Sequence, residues 1–414
     1  MRARVLVDLT PLGPGGQNGG AGLVATSLVR HIGRLAPEWE LVVLTSILSH
    51  AELGELDAAN VRRVCTSQPA DDTASVTRKT VGLKRFVRTG LQLFPPEVRV
   101  RAKDFAWRMR HSKSHASLLA ELNPDLLFCP MTVPYFWRQG VPLVAIVYDL
   151  QHLAFPEFFS DEQRLNRTQH FHEVADRAER VVCISDFVRE TMRKHIGIDE
   201  NRLVTIYPGL LQEFESHPGA EDILDEHNLR AGTYLLYPAN FWPHKNHRRL
   251  FDALALHRRG AHGRAVKLVC TGATNGAMLD LQHYADSVLG PGVAVFTGYL
   301  ATTQLQVLLS HCSALIYPSL YEGFGMPVLE AMAYGKPVLC STAGSLPEVA
   351  GSAARYFDPT DTVDIERAIA SLNDDPVGTR ERGRNGRVRA TTFGSAEDMA
   401  RKYIEVFEQV VCRA

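Results

Sequence analysis

The sequence predicts an α/β protein made of two doubly wound parallel-sheet domains in succession. Three observations predict it. Short runs rich in β-branched residues recur along all 414 residues, with helix-length segments between them. The runs are apolar almost throughout, as strands covered on both faces by helices must be. After Pro208 and Gly209 the same pattern begins again, and the length exceeds what one hydrophobic core usually organises.

The first domain opens with VLVDL (5–9), a glycine-rich loop TPLGPGGQNGGAG (10–22) and a helix expected from near Ala21. LVVLTS (41–46), LLFCP (126–130), LVAIVYD (143–149), RVVCIS (180–185) and LVTIY (203–207) follow as strands. The second domain runs through YLLYPA (234–239), KLVCTG (267–272), VAVFTG (293–298), SALIYPS (313–319) and KPVLCS (336–341). We place the domains at 1–210 and 211–394. Ligands of such sheets bind outside the carboxyl ends of the strands, so two domains facing a central cleft would line it with strand-end loops.

Composition narrows the class. The chain is 45% hydrophobic and 22% charged, with 45 Lys+Arg against 46 Asp+Glu, as in an ordinary globular protein. A net charge of −1 offers no global case for nucleic acid. Seven scattered cysteines without a C-x-x-C pair read as reduced core residues of a cytosolic protein. The opening MRARVLVDL lacks the apolar stretch of a secretory signal, and no run approaches the roughly 18 apolar residues of a membrane span. One segment departs from neutrality: residues 78–115 hold eleven Lys/Arg against Glu97 and Asp104, with Val98, Ala102, Phe105 and Met109 on one helical face. A solvated basic helix, peripheral contact with an anionic membrane and nucleic-acid contact are its three readings. The expected address is the cytoplasm, with the second reading placing the protein at the inner face of the membrane.

The chemistry concentrates in ALIYPSLYEGFGMPVLEAMAYGKPVLCS, 314–341. A strand ends, a glycine-containing loop follows, and a helix is expected from near Pro327, a residue suited to a first helical turn. The amides of Phe324, Gly325 and Met326 with the positive helix end form an anion site. Glu322 in the loop and Glu330, expected in the first turn, flank it. Carboxylates beside a phosphate site are unfavourable unless they accept hydrogen bonds from hydroxyls, so a ligand both phosphorylated and polyhydroxylated, such as a nucleotide sugar, accounts for the pattern. A helix-dipole glutamate and a solvated loop glutamate are the alternatives for either residue alone.

Here the sequence resembles the retaining glycosyltransferases of family 4, with the GT-B fold, through E-x7-E as Glu322-GFGMPVL-Glu330 and through the following GKPVLCSTAGSLPEVAGSAARYFDPTD. The resemblance implies two Rossmann-like domains, with the C-terminal helix, 395–414, crossing back onto the first. It implies that Glu330 binds the donor ribose and Glu322 the donor sugar near the reacting carbon. The second domain would hold the nucleotide and the first the acceptor. In YPANFWPHKNHRRL (237–250), Lys245 is placed to stabilise charge on the departing diphosphate; a surface charge is its alternative. Asn240 stands where many members carry an arginine, and His244 is a candidate for part of the lost charge. Base selectivity is expected from backbone near Gly272 and the loops 272–275 and 296–299.

The first domain adds further candidates. Gly16, Gly19 and Gly20 allow close backbone approach to a phosphate, or simply a turn. G-x-G-x-x-G is absent in register, since Asn18 stands sixth from Gly13, and LVVLTS ends without a ribose-binding acid, which argues against an NAD enzyme. Asp149 and His152, the catalytic candidates of this domain, lie just past a central strand, where Tyr148 occupies the place of the histidine that in the family touches the donor sugar; His152 is expected to reach the same space, with a structural role as its alternative. Ser185 is expected as an N-cap with a phosphate or sugar contact. No aspartates lie at i and i+2, and neither G-K-[ST] nor H-E-x-x-H occurs, so no metal and no cofactor beyond the nucleotide sugar substrate is expected. The resemblance implies a retaining hexosyltransferase of bacterial polysaccharide or glycolipid synthesis using a GDP- or UDP-sugar, preferably GDP-mannose with glucose, N-acetylglucosamine or rhamnose donors as alternatives, a glycan or lipid-linked acceptor and no nucleic acid. A nucleotide-sugar epimerase and a silent sugar-nucleotide-binding protein are the alternatives.

Overall fold

The computed structural model describes residues 3–15, 18–66, 115–211, 222–260, 266–273 and 276–412. The basic segment expected at 78–115 lies outside the described residues up to 114, as does Gly16. The chain divides into two compact units, Met1–Ile184 with Val188–Ile206 and Met399–Ala414, and Ser185–Phe187 with Tyr207–Asp398.

The first unit holds strands β1 (Arg4–Asp8), β2 (Glu40–Ser46), β3 (Val61–Thr66), β4 (Leu126–Cys129), β5 (Leu143–Val147), β6 (Arg180–Cys183) and β7 (Leu203–Thr205). They form one parallel sheet in the order β3-β2-β1-β4-β5-β6-β7. The central strands are apolar because both faces are covered: Val5, Leu6, Leu127, Phe128, Val144 and Ile146 are wholly buried. The glycine loop feeds a helix that begins at Gly19, two residues before the expected Ala21, and ends at Leu35. A helix over Asp161–Arg177 starts with a reciprocal capping box between Ser160 and Gln163.

The second unit holds β8 (Tyr234–Pro238), β9 (Lys267–Thr271), β10 (Ala294–Gly298), β11 (Ala314–Tyr317), β12 (Val338–Ser341) and β13 (Ala354–Phe357). Their order is β10-β9-β8-β11-β12-β13, again all parallel. In each sheet the strand order reverses beside the first strand, at β1/β4 and at β8/β11. A crevice opens at such a point because consecutive crossovers leave to opposite faces.

Two strands escape the sequence reading. β3 reads VRRVCT and β13 reads ARYF, with charged or exposed members inside each. Both are edge strands, where only one side is paired and the faces are partly open, so no continuous apolar run marks them. The cysteine expectation also needs correction: five are buried, but Cys65 and Cys412 are exposed, Cys65 because it lies on edge strand β3.

The last helix runs from Ala396 to Val411, and its residues from Met399 onward belong with the first unit. Tyr403 and Phe407 are 1% and 0% exposed. The Phe407 ring lies 4.9 Å from Phe128 and 6.2 Å from Trp39, so aromatic burial fastens this helix to the strand β4 region. Among the described residues no helix is long and apolar enough to cross a membrane.

Candidate active site

The second unit brings Lys245 and Glu322 together at the carboxyl ends of β8 and β11. After β8 the chain makes a single 3-10 turn, Pro243–Lys245, and then takes a left-handed conformation at Asn246, φ 62°. Asparagine tolerates this region, and here its Nδ2 donates to the carbonyls of Pro318 and Pro359 at 3.0 and 2.8 Å. The Tyr237 hydroxyl donates to the Lys245 carbonyl at 2.5 Å. With its backbone so held, Lys245 places Nζ 2.5 Å from Glu322 Oε1 and 3.4 Å from the Tyr317 hydroxyl. Lys245 and Glu322 are each only 9% exposed, so the pair attracts in a medium that screens far less than water.

Glu322 sits on the loop between β11 and a helix over Met326–Ala333. Gly325, at φ 99°, turns the chain into that helix, and Pro327 lies in its first turn as expected. The first-turn amides have no intrahelical partner, which preserves the anticipated anion site. Phe324 contributes only backbone there, because its ring is buried beside Tyr207 and Phe393. Glu330 falls in the second turn rather than the first, since the helix begins at Met326 and the residue is its fifth. Burial pushes its carboxyl up to about 7. It lines a shallow recess with Leu210, Leu305, Gln306, Leu309 and Tyr334; Glu322 is outside that recess. Tyr317 links the two acids: burial and then the charges of Glu322 and Glu330 hold its hydroxyl well above the ordinary tyrosine range.

Asn240, at the arginine's position, uses its side-chain oxygen inside the protein. Its Oδ1 accepts from the Ala273 amide at 2.9 Å, tying the loop after β8 to the loop after β9. Gly272 makes this approach feasible, for a Cβ there would stand 2.6 Å from the Ala239 carbonyl oxygen. His244 is buried at 6% exposure beside Trp242. Next to Lys245, His247 packs on Tyr237 and Phe241, and burial followed by the Lys245 charge lowers it to about 3. Sequence reasoning passed over Tyr317 and Asn246. The left-handed tolerance of asparagine after Lys245 was the available signal for the second.

In the first unit the candidates occupy different surroundings. Gly19, at φ 52°, starts its helix, and Gly20 is exposed. The Tyr148 hydroxyl donates to the Ala21 carbonyl at 3.2 Å, joining the β5 end to that helix. Asp149 accepts from the Gln151 amide at 3.1 Å and lies 3.5 Å from Arg167, with its side chain 26% exposed. His152, expected to reach a donor sugar, is instead 1% exposed; it is stacked on Phe171 and bonded to Thr168 at 3.1 Å. Burial lowers it to about 4, so it is a neutral packing residue with no face open to a sugar in this conformation. Asp8, an acid inside the apolar run VLVDL, went unremarked. It is 1% exposed, accepts from the Thr10 amide and hydroxyl, and is pushed up to about 7 by burial.

Ser185 directly precedes the helix Asp186–Ile196. Its hydroxyl donates to the Gly323 carbonyl at 2.6 Å. The first amides of the helix Asp186–Ile196, those of Asp186 and Phe187, donate to the two carboxylate oxygens of Glu348 at 2.7 and 3.0 Å. A carboxylate satisfies two orphan donors and the helix dipole together, which a single hydroxyl does less well. Among the described residues no group of three or more His, Cys, Asp or Glu side chains is arranged to hold a metal ion.

Comparison with known proteins follows the two halves. Residues 221–389 match the model for glycosyl transferases group 1, and residues 18–210 match glycosyltransferase family 4. The O-antigen chain mannosyltransferase B of Escherichia coli is 29% identical over 65% of this chain and 71% of its own length. The MMP alpha-(1->4)-mannosyltransferase of Mycolicibacterium hassiacum is 38% identical over 28% of each chain. Among solved structures, Anabaena HepE in complex with UDP and glucose superposes with a TM-score of 0.70 at 16% identity, covering 98% of this chain and all of that one. At that identity the likeness is one of fold.

Proposed function

We propose, on the premise that this chain belongs to glycosyltransferase family 4 and so moves a glycosyl group from a nucleotide sugar to a glycan acceptor, that it transfers mannose from GDP-mannose, with retention, onto a growing lipid-linked bacterial polysaccharide. The observation that carries the donor site is the buried Lys245–Glu322 pair at the β8/β11 reversal, where a phosphorylated ligand is expected. Two mannosyltransferases among the relatives favour mannose.

In this reading the second unit holds the nucleotide and the first the acceptor. The first-turn amides at Phe324, Gly325 and Met326 and the Lys245 ammonium bind the diphosphate. Lys245 has three donors and uses two on Glu322 and Tyr317, which leaves one for a phosphate oxygen. Glu322 accepts from hydroxyls of the donor sugar and Glu330 from those of the ribose. The acceptor oxygen attacks the anomeric carbon on the face the diphosphate leaves, and the departing phosphate oxygen takes the acceptor proton. As the bond to phosphate breaks, charge grows on the diphosphate, where Lys245 is worth most. Asp149, partly exposed just past a strand end of the first unit, is the catalytic candidate of that unit; Asn240, Gly272 and Ser185 act by shaping loops.

A thermal-shift screen over GDP, UDP, TDP and ADP sugars tests the donor. GDP-mannose is expected to raise the melting temperature most, and a larger shift with another nucleotide sugar overturns that choice. Product formed from donor alone, without acceptor, would point to an epimerase. Transfer is expected to continue in EDTA; loss restored by added Mg²⁺ or Mn²⁺ contradicts a metal-independent mechanism.

A further inference from the structure

We infer that Ser345, seated against Gly344, is a positioning residue that aims the Gly323 amide at the donor diphosphate. The inference rests on the donor-site reading above and deepens it. Ser345 occupies the N-cap position of a short helix, Leu346–Ala350, yet its side chain makes no cap bond, although serine is favoured at that position for that bond. Its hydroxyl donates instead to the carbonyl of Glu322 at 3.1 Å, and its amide reaches the same oxygen at 3.2 Å. Ser345 is wholly buried. Gly344 lies so close that a Cβ on it would stand 2.4 Å from the Glu322 oxygen, and its φ is 61°.

The consequence follows from the planarity of the peptide unit. In a trans peptide the carbonyl of one residue and the N–H of the next point in opposite directions. Fixing the Glu322 carbonyl toward Ser345 therefore fixes the Gly323 N–H away from it. The same loop shows where that side is. The Ser341 hydroxyl donates to the Ser319 carbonyl at 2.6 Å, and the N–H of the next residue, Leu320, donates to the His244 carbonyl at 2.8 Å. His244 directly precedes Lys245, so a carbonyl held from the β12 side turns the following amide to the lysine side. The Gly323 carbonyl, held by Ser185, turns the Phe324 amide in the same manner. Among the described residues no acceptor meets the N–H of Gly323 or Phe324.

Ser345→Ala keeps the amide contact and removes only the hydroxyl bond, so the peptide plane loosens while the fold stands. Titration calorimetry compares wild type, Ser345→Ala and Ser345→Thr with GDP and UDP and with their nucleosides. For whichever diphosphate wild type binds more tightly, Ser345→Ala is expected to weaken binding roughly tenfold, about 1.4 kcal/mol, and to leave nucleoside affinity and melting temperature nearly unchanged. Ser345→Thr should recover most of the loss. Gly344→Ala, which displaces the same peptide sterically, should show the same selective loss. Equal weakening of nucleoside and diphosphate, or no change in Ser345→Ala, overturns the inference alone. A wild type that binds neither diphosphate better than its nucleoside overturns the donor-site reading and this inference with it.

Discussion

Lys245 Nζ and Glu322 Oε1, carried by loops 77 residues apart in sequence, stand 2.5 Å from each other with both side chains nine-tenths buried. Either charge alone at that depth is unfavourable, and neither the Lys245 turn nor the E-x7-E loop contains its own counterion. Removing one partner should cost about 3–5 kcal/mol of stability, because it strands the other. The double replacement Lys245→Met with Glu322→Leu should recover much of that loss while remaining inactive. Lys245→Ala should in addition lower turnover by roughly 2–4 kcal/mol of transition-state stabilisation, and Glu322→Ala should lower turnover more than nucleotide affinity. Denaturant midpoints and single-turnover rates of the three variants check this. Additive stability losses would mean that the pair is not coupled.

Glu330 sets a pH dependence. Its carboxyl is raised to about 7 by burial, so it is largely neutral at pH 6 and ionised at pH 8. A carboxylate accepts hydrogen bonds from two ribose hydroxyls better than a neutral acid does, so nucleotide affinity should rise about tenfold between those values by linkage to one proton. The free protein should behave oppositely. A carboxyl raised on folding contributes its stability in full below the unfolded value and loses it as pH climbs through 7, and Asp8, also raised to about 7, adds to the trend. Glu330→Gln should flatten the affinity profile; a profile unchanged by that substitution removes Glu330 from the nucleotide site. Glu330→Ala should weaken nucleotide binding outright.

The basic segment at 78–115 is a test of the membrane reading. Its local excess of nine positive charges is attracted to an acidic lipid surface by roughly 1 kcal/mol per nearby Lys or Arg. Co-sedimentation with acidic vesicles at low salt is expected, with loss as the Debye length falls from about 10 Å at 0.1 M to about 3 Å at 1 M. A variant with Arg99, Arg101, Lys103, Arg108 and Arg110 changed to glutamine should stay in solution. Equal sedimentation of that variant, or none by wild type, makes a soluble acceptor the better proposal.

Phe407→Ala tests the docking of the last helix on the first unit. The side chain is wholly buried against Phe128 and Trp39, so its truncation should cost about 3–5 kcal/mol. The urea midpoint should drop accordingly. A drop well under 1 kcal/mol would show that the helix end contributes little to the unit.

Much of this architecture was legible from the chain alone, because continuous apolar strands and interspersed helices follow from burial on both faces of a sheet. The restart after Gly209, the loop-to-helix turn at Pro327 and the candidate acids at Glu322 and Glu330 are all local patterns of that kind. What escaped was decided by neighbours distant in sequence. β3 and β13 are strands only because an adjacent strand offers its edge. Asn240 ties two loops together because Gly272 lets them come close, and His152 is interior because Phe171 covers it. Ser345 stands at a helix start, where local preference predicts a cap, but the buried carbonyl of Glu322 claims its hydroxyl. The sequence by itself determined which segments become strands, helices and chemically armed loops. Only the tertiary structure decided which donor meets which acceptor, since a buried polar group must take whatever partner the packing brings within about 3 Å.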